Sequence, residues 1–179
     1  MTAFAALRHH TAREGFEVVF PAGRRFEGQS TGFEDGAAWT VHYAIELDDV
    51  WRTRHALVTT RDAAGARTVT LEADGAGRWR VGGAPAPHLD GVLDVDLEAS
   101  AVTNTFPVRR LALAPGAGAE APAAWVRLDS SVERLEQRYR RLDGERYAYE
   151  APALGFAAEL VYDGDGLIRE YPGIASRVA

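Results

Sequence analysis

Along this chain apolar and polar residues alternate with period two almost throughout. In residues 38–47, Trp39, Val41, Tyr43, Ile45 and Leu47 share one face, and Thr40, His42 and Glu46 the other. Val69, Leu71 and Ala73 alternate with Thr68, Thr70 and Glu72, and Phe156, Ala158, Leu160 and Tyr162 alternate with Ala157, Glu159 and Val161. Successive side chains of a strand point to opposite faces, so each run predicts a strand with one buried side. Between the runs stand Asp74-Gly75-Ala76-Gly77, Asp143-Gly144 and Asp163-Gly164-Asp165-Gly166. Asp-Gly supplies the positive φ angles that tight turns between twisted strands require. The pattern predicts a mainly β domain, a sandwich, barrel or roll of short strands with at most one or two short helices.

Two segments fit more than one element. Val132, Leu135, Tyr139 and Leu142 form the apolar stripe of a helix over 131–142, while Leu135, Gln137 and Tyr139 equally form a strand. The strand is favoured, because it runs into Asp143-Gly144 and returns through Tyr147 and Tyr149 as a complete hairpin. At Thr105–Leu113, Pro107 suits the first turn of a short helix capped by Thr105. Leu71, Asp74, Gly75, Gly77 and Arg80 recur as Leu160, Asp163, Gly164, Gly166 and Arg169, an echo that suggests two similar meanders. Ala112–Ala124, rich in Ala, Gly and Pro, would then connect them. The expectation is one domain over residues 1–179, with roughly the first ten residues frayed.

The densest chemistry lies between Leu89 and Leu111. Asp90, Asp94 and Asp96 interrupt the apolar run Leu89–Leu97, and Thr103-Asn104-Thr105 precedes Arg109-Arg110. Leu93, Val95 and Leu97 mark a central strand whose opposite face carries Asp94 and Asp96. Such acids serve as metal ligands, as a general acid/base pair, or as partners of arginine; a regular strand poorly suits the irregular oxygen cage of calcium. If both faces are covered, a carboxylate needs a cation, and Arg52, Arg54, Arg109 and Arg110 are the candidates. Asn104 is the only asparagine, and with its threonines it either closes a turn or contacts a polar ligand such as a sugar hydroxyl. Trp51 and Trp79 are candidate aromatic platforms for a sugar ring, and Arg109-Arg110 a candidate clamp for an anionic headgroup.

Composition narrows the chemistry. The chain has 179 residues, no cysteine and a formal net charge of −6. Disulfides, thiolate nucleophiles and Cys-ligated metals are excluded, and the charge argues against nucleic acid or an anionic membrane as the main partner. All 20 cationic side chains are arginine, which excludes Schiff-base chemistry and a P-loop lysine. None of the five serines (Ser30, Ser100, Ser130, Ser131, Ser176) stands in a Gly-x-Ser-x-Gly elbow, and the five histidines lack helical metal spacing. No cofactor and no metal is expected. No stretch approaches the roughly 20 apolar residues of a membrane span. The opening residues lack a basic leader and a long apolar core, so the expected location is the cytoplasm.

Leu89-Asp90-Gly91, Leu93-Asp94-Val95-Asp96-Leu97 and Thr103-Asn104-Thr105 together resemble the bacterial family called putative glycolipid-binding. Tyr43-Ala44-Ile45, Trp51-Arg52-Thr53-Arg54 and Gly75-Ala76-Gly77-Arg78-Trp79 resemble its upstream half. Glu136-Gln137-Arg138-Tyr139, Tyr147-Ala148-Tyr149 and Gly166-Leu167-Ile168-Arg169-Glu170-Tyr171-Pro172-Gly173 resemble its downstream half, so the likeness covers residues 25 to 175. The resemblance implies antiparallel strands wound into a spiral β-roll, and binding of a lipid or glycolipid. On this reading the ligand contacts are drawn from Trp51, Arg52, Arg54, Asp94, Asp96, Asn104, Arg109, Arg110, Gln137 and Tyr139. The expected protein is a monomer that holds an amphipathic small molecule in a mostly apolar cavity of roughly 300–1,000 Å³. Two other readings stay open: an enzyme acting on a small polar metabolite through the aspartates and arginines, and a structural subunit without ligand.

Overall fold

A computed structural model describes residues 3–10 and 13–179. Its strands are β1 Ala5–His9, β2 Glu14–Ala22, β3 Arg25–Glu34, β4 Ala37–Leu47, β5 Thr53–Asp62, β6 Gly65–Ala73, β7 Trp79–Val81, β8 Ala84–Pro85 and β9 Asp94–Leu97. They continue as β10 Gly118–Glu120, β11 Ala123–Val126, β12 Val132–Leu135, β13 Arg138–Arg141, β14 Arg146–Ala151, β15 Phe156–Tyr162, β16 Ile168–Tyr171 and β17 Ala175–Arg177. One α-helix, α1 (Thr105–Leu111), and three short 3₁₀ turns accompany them. Fourteen strands form one antiparallel sheet in the order β10-β13-β14-β15-β16-β17-β1-β2-β3-β4-β5-β6-β7-β8. The sheet stays open, since β8 and β10 do not pair with each other among the described residues. The alternation in β4 holds as read: Trp39, Val41, Tyr43, Ile45 and Leu47 are buried while His42 and Glu46 are exposed.

The predicted block is the plug around which the sheet curls. Every residue from Asp94 to Leu97 and from Ala99 to Val108 is buried. Both halves of the large sheet reach this block. Phe26 of β3 packs edge-on against Phe106, centroids 5.0 Å apart, and the Tyr162 hydroxyl of β15 donates to the Asn104 carbonyl at 3.2 Å. An irregular segment inside a sheet must find partners for its backbone groups. Here side chains supply them: Thr53 Oγ1 accepts from the Val95 amide at 3.0 Å and Thr103 Oγ1 from the Leu97 amide at 3.3 Å.

Several expectations need correction. The strand of aspartates is not central: β9 is an edge of the three-stranded sheet β12-β11-β9, and it pairs with β11 in parallel. It is nevertheless covered on both faces, because the large sheet wraps around it. Residues 131–142 are extended, as favoured, but as two strands in different sheets, β12 with β11 and β13 with β14. The helix stands at Thr105–Leu111, yet Thr105 lies inside it and no side chain caps it. The helix continues directly from the 3₁₀ turn Val102–Asn104, so the Thr105 hydroxyl is left to accept from the Ile168 amide at 3.3 Å. Ala5–His9 is not frayed but paired with both β2 and β17. Ala112–Ala124 is more than a connection, since it contains β10 and opens β11. The two echoing turns bond alike: Asp74 Oδ1 accepts from the amides of Ala76 and Arg78, and Asp163 Oδ1 from those of Asp165 and Leu167.

Candidate functional site

An open cleft of about 400 Å³ lies between the plug and the C-terminal half of the large sheet. Its apolar side is aromatic. Tyr149, Phe156 and Tyr171, from β14, β15 and β16, stand with centroids 5.8–6.1 Å apart. Trp125 and Leu154 also line the cleft. Arg127 lies over the Trp125 ring at 4.8 Å, and Arg13 binds the Glu98 carbonyl at 2.8 Å; both arginines line the cleft with the carboxylate-bearing Glu98. A larger hollow of about 780 Å³ sits on the outer face of β2–β4 against Phe16, Val18 and Phe20. Its polar lining includes the exposed side chains of Gln29 and His42, whereas the smaller cleft opens onto a fixed network of buried polar groups. Convergent, pre-positioned polar groups beside apolar walls mark a ligand site better than volume does.

That network is built from the aspartate strand outward. Asp96 Oδ1 accepts from the Thr103 hydroxyl at 2.6 Å, and Oδ2 from Gln137 Nε2 at 2.6 Å. Gln137 Nε2 also contacts the Tyr149 hydroxyl at 3.1 Å. Tyr139 donates to Asn104 Oδ1 at 2.7 Å. Asp96, Ser100 and Asn104 line the cleft directly; Gln137 and Tyr139, 1% and 0% exposed, stand behind them as supports. Burial pushes the Asp96 carboxyl up to about 6, and the Thr103 and Gln137 donors only partly offset it. Near neutrality it is an acceptor for hydroxyls, and a modest further rise would make it a donor. Gln137→Leu removes a donor from a buried carboxylate and is expected to cost about 1–3 kcal/mol. Because the variant raises Asp96 further, the deficit grows as pH rises through its folded value. Urea unfolding at several pH values measures it, and a pH-independent loss would contradict this assignment.

Glu17 is a participant that sequence reading did not reveal. It is fully buried and accepts from the Tyr43 hydroxyl at 2.7 Å, from the Ser100 hydroxyl, and from the Ala101 amide at 3.1 Å. It therefore ties β2 and β4 to the segment that floors the cleft. Burial pushes its carboxyl up to about 7 against the Ser100 and Tyr43 hydrogen bonds. Gly28 makes room for this arrangement, since a Cβ there would stand 2.4 Å from the Tyr43 ring. The only signal in sequence is the alternation of Phe16, Val18 and Phe20 with Glu17 and Val19, and it does not say which face is inside.

The other candidates separate into different places. Asp94 is paired with Arg110, whose Nη2 lies 2.5 Å from Oδ2 and Nε 3.0 Å from Oδ1. With 1% of the Asp94 side chain exposed, this is an internal brace, as an arginine fork on a buried carboxylate should be. Arg52 and Arg54 do not approach the aspartates; they bind the carbonyls of Gly75 and Ala73 at 2.8 and 3.0 Å. Trp51 and Arg109 lie on another side of the plug, and neither lines the cleft. Among the described residues no group of three metal-ligating side chains comes together, and no helix is long and apolar enough to cross a membrane.

Comparison with known proteins places this geometry in a family. No curated protein matches the chain. The crystal structure of a DUF1089 family protein from Pseudomonas aeruginosa superposes with a TM-score of 0.87 at 34% identity, covering 92% of each chain. The family model described as putative glycolipid-binding matches residues 9–177. That span takes in β2 to β17 and every residue of the cleft and its supporting network, and the chain belongs to this putative glycolipid-binding family.

Proposed function

We propose that the protein binds an amphipathic small molecule, a lipid or glycolipid, in the cleft between the plug and β14–β16. The observation that carries this reading is the aromatic wall of Tyr149, Phe156 and Tyr171 standing beside the polar floor of Asp96, Ser100 and Asn104. Aromatic rings accept either an acyl chain or a sugar face. The carboxylate and amide orient hydroxyls, and the hidden Gln137 and Tyr139 hold them in place. The family's description supports a binding role, and the net charge of −6 favours an uncharged amphiphile at this site over nucleic acid. The closed Asp94–Arg110 pair favours binding over the enzymatic reading through Asp94, Asp96 and arginine.

Native mass spectrometry of the purified protein tests the proposal. The expected result is an adduct of lipid mass, released by denaturation. After delipidation, detergent-dispersed glycolipid at about 100 times its Kd should add roughly 2.7 kcal/mol of stability and raise Tm by about 5–11 °C. Phe156→Ala should abolish most of that rise. Only the bare chain mass, together with no shift from any glycolipid or phospholipid tried, would discard the proposal.

A further inference from the structure

A second hollow, of about 290 Å³, lies on the other side of the plug and shares no lining residue with the cleft. Asn104 lines the cleft while the adjoining Thr105 lines this hollow. Its centre is Trp51. The guanidinium of Arg24 lies over the indole at 4.1 Å and that of Arg109 at 4.5 Å. Two cations gathered on one ring repel each other, so the arrangement needs either paired carboxylates or an anion. Among the described residues neither arginine is paired with a carboxylate, unlike Arg13, Arg25, Arg67, Arg110, Arg146 and Arg177. Arg24 Nη2 donates only to the Asp49 carbonyl at 3.2 Å, and its Nε is buried without a partner. Arg109 Nη1 donates to the Asp165 carbonyl. Asp165 lines the hollow as a competing charge; Asp163 is engaged by Arg177 at 2.7 Å, and Asp48 by the amides of Val50 and Arg52.

The surroundings hold both arginines and the ring in place. Gly166, at φ +73°, leaves space that a Cβ would fill, 2.6 Å from Arg109 Cδ. Trp51 itself has φ +68°, a left-handed conformation that bulky residues rarely adopt. The turn closed by its amide onto the Asp48 carbonyl at 3.0 Å enforces it. Strain of this kind gathers where a side chain must be presented to a ligand. Guanidiniums stacked on an indole keep their N–H edges free, and those edges match the oxygens of a phosphate or carboxylate. Phe26 and Leu167 add an apolar wall.

We propose that this hollow is a second binding site, for a phosphate group borne on a small apolar body and gripped by Arg24 and Arg109 over Trp51. Phenyl phosphate is the probe, followed by calorimetry at low salt. Affinity is expected to fall about tenfold or more in Arg24→Gln/Arg109→Gln, and to stay unchanged in Arg61→Gln/Arg80→Gln, which removes the same charge from exposed positions. Should the double variant fail to fold, Arg24→Gln alone replaces it, since among the described residues the Arg24 side chain makes one hydrogen bond. Phosphatidylcholine vesicles with and without phosphatidic acid separate the two sources of phosphate. Binding of phenyl phosphate but not of vesicles supports a free phosphate ester. Binding of both, with phosphatidic acid required and both lost in the variant, supports a lipid headgroup. No binding of phenyl phosphate, whatever the vesicles do, or equal binding by the variant and wild type, overturns the site.

Discussion

Arg110→Ala is expected to lower stability by about 3–5 kcal/mol at roughly pH 8, and by distinctly less at roughly pH 5. The magnitude follows from what is left behind. Asp94 sits on β9 with 1% of its side chain exposed and Arg110 as its only ion-pair partner among the described residues. Even with that partner, burial holds the Asp94 carboxyl above the usual carboxylate range. Without it the folded-state value climbs further while the unfolded value stays put. A carboxyl raised on folding stabilises fully below its unfolded value and loses that contribution as pH rises toward its folded value. The deficit of the variant therefore widens with pH. Replacing both partners, as Asp94→Asn/Arg110→Met, should recover much of the loss, because a buried pair costs nearly as much to desolvate as it returns. Denaturant unfolding of the single and double variants measures this. A single-variant loss below about 1 kcal/mol would mean that the pair behaves as a surface bridge.

Glu17→Gln should change the shape of the stability profile more than its height. Folding raises the Glu17 carboxyl from 4.5 to about 7, chiefly through burial. Between those values the folded state holds a proton that the unfolded chain has released, so wild-type stability declines by about 3 kcal/mol as pH rises across the window. Asp96, raised to about 6, acts in the same direction. His9, lowered to about 4 by burial, acts in the opposite one. Subtracting the variant's profile from that of the wild type removes both. Glutamine can turn its carbonyl to the Ala101 N–H, but its amide then faces the Tyr43 and Ser100 hydroxyls, which must reverse from donors to acceptors at a pH-independent cost. The variant should thus gain about 3 kcal/mol relative to wild type between roughly pH 4 and pH 8. Parallel profiles would sink the assignment.

The strands were legible because period two survives wherever one face of a sheet is buried, as in β4 and β15. The same rule misled at residues 131–142: Leu135, Gln137 and Tyr139 are all buried, so the alternation runs unbroken through a change of sheet. Pairing partners are set by tertiary packing, and nothing local to Asp94–Leu97 encodes its parallel neighbour β11. The Asp94–Arg110 brace could be anticipated, since a covered acid in a lysine-free chain has few possible partners. Asp96, Asn104, Gln137 and Tyr139, all singled out in the sequence, are brought together by the fold in one region, and two of them stand behind the cleft. Glu17 was hidden because alternation assigns a residue to a face without choosing which face is inside. Trp51 was named, but its left-handed backbone and the approach of Arg24 depend on folds of the chain that no local pattern records.

The open roll has one more consequence, for how the protein behaves in a crowd. A sheet that does not close presents two rows of unsatisfied backbone groups, and such margins recruit strands from other molecules. Here the margins are β8, two residues long and ending in Pro85, and β10, three residues long. Proline withholds an amide from any incoming strand, and Glu120 on β10 carries a charge held by Arg138 at 2.6 Å. The long, strand-rich body is thus terminated by stubs too short to template an added strand, and fourteen strands can stay open without seeding aggregation.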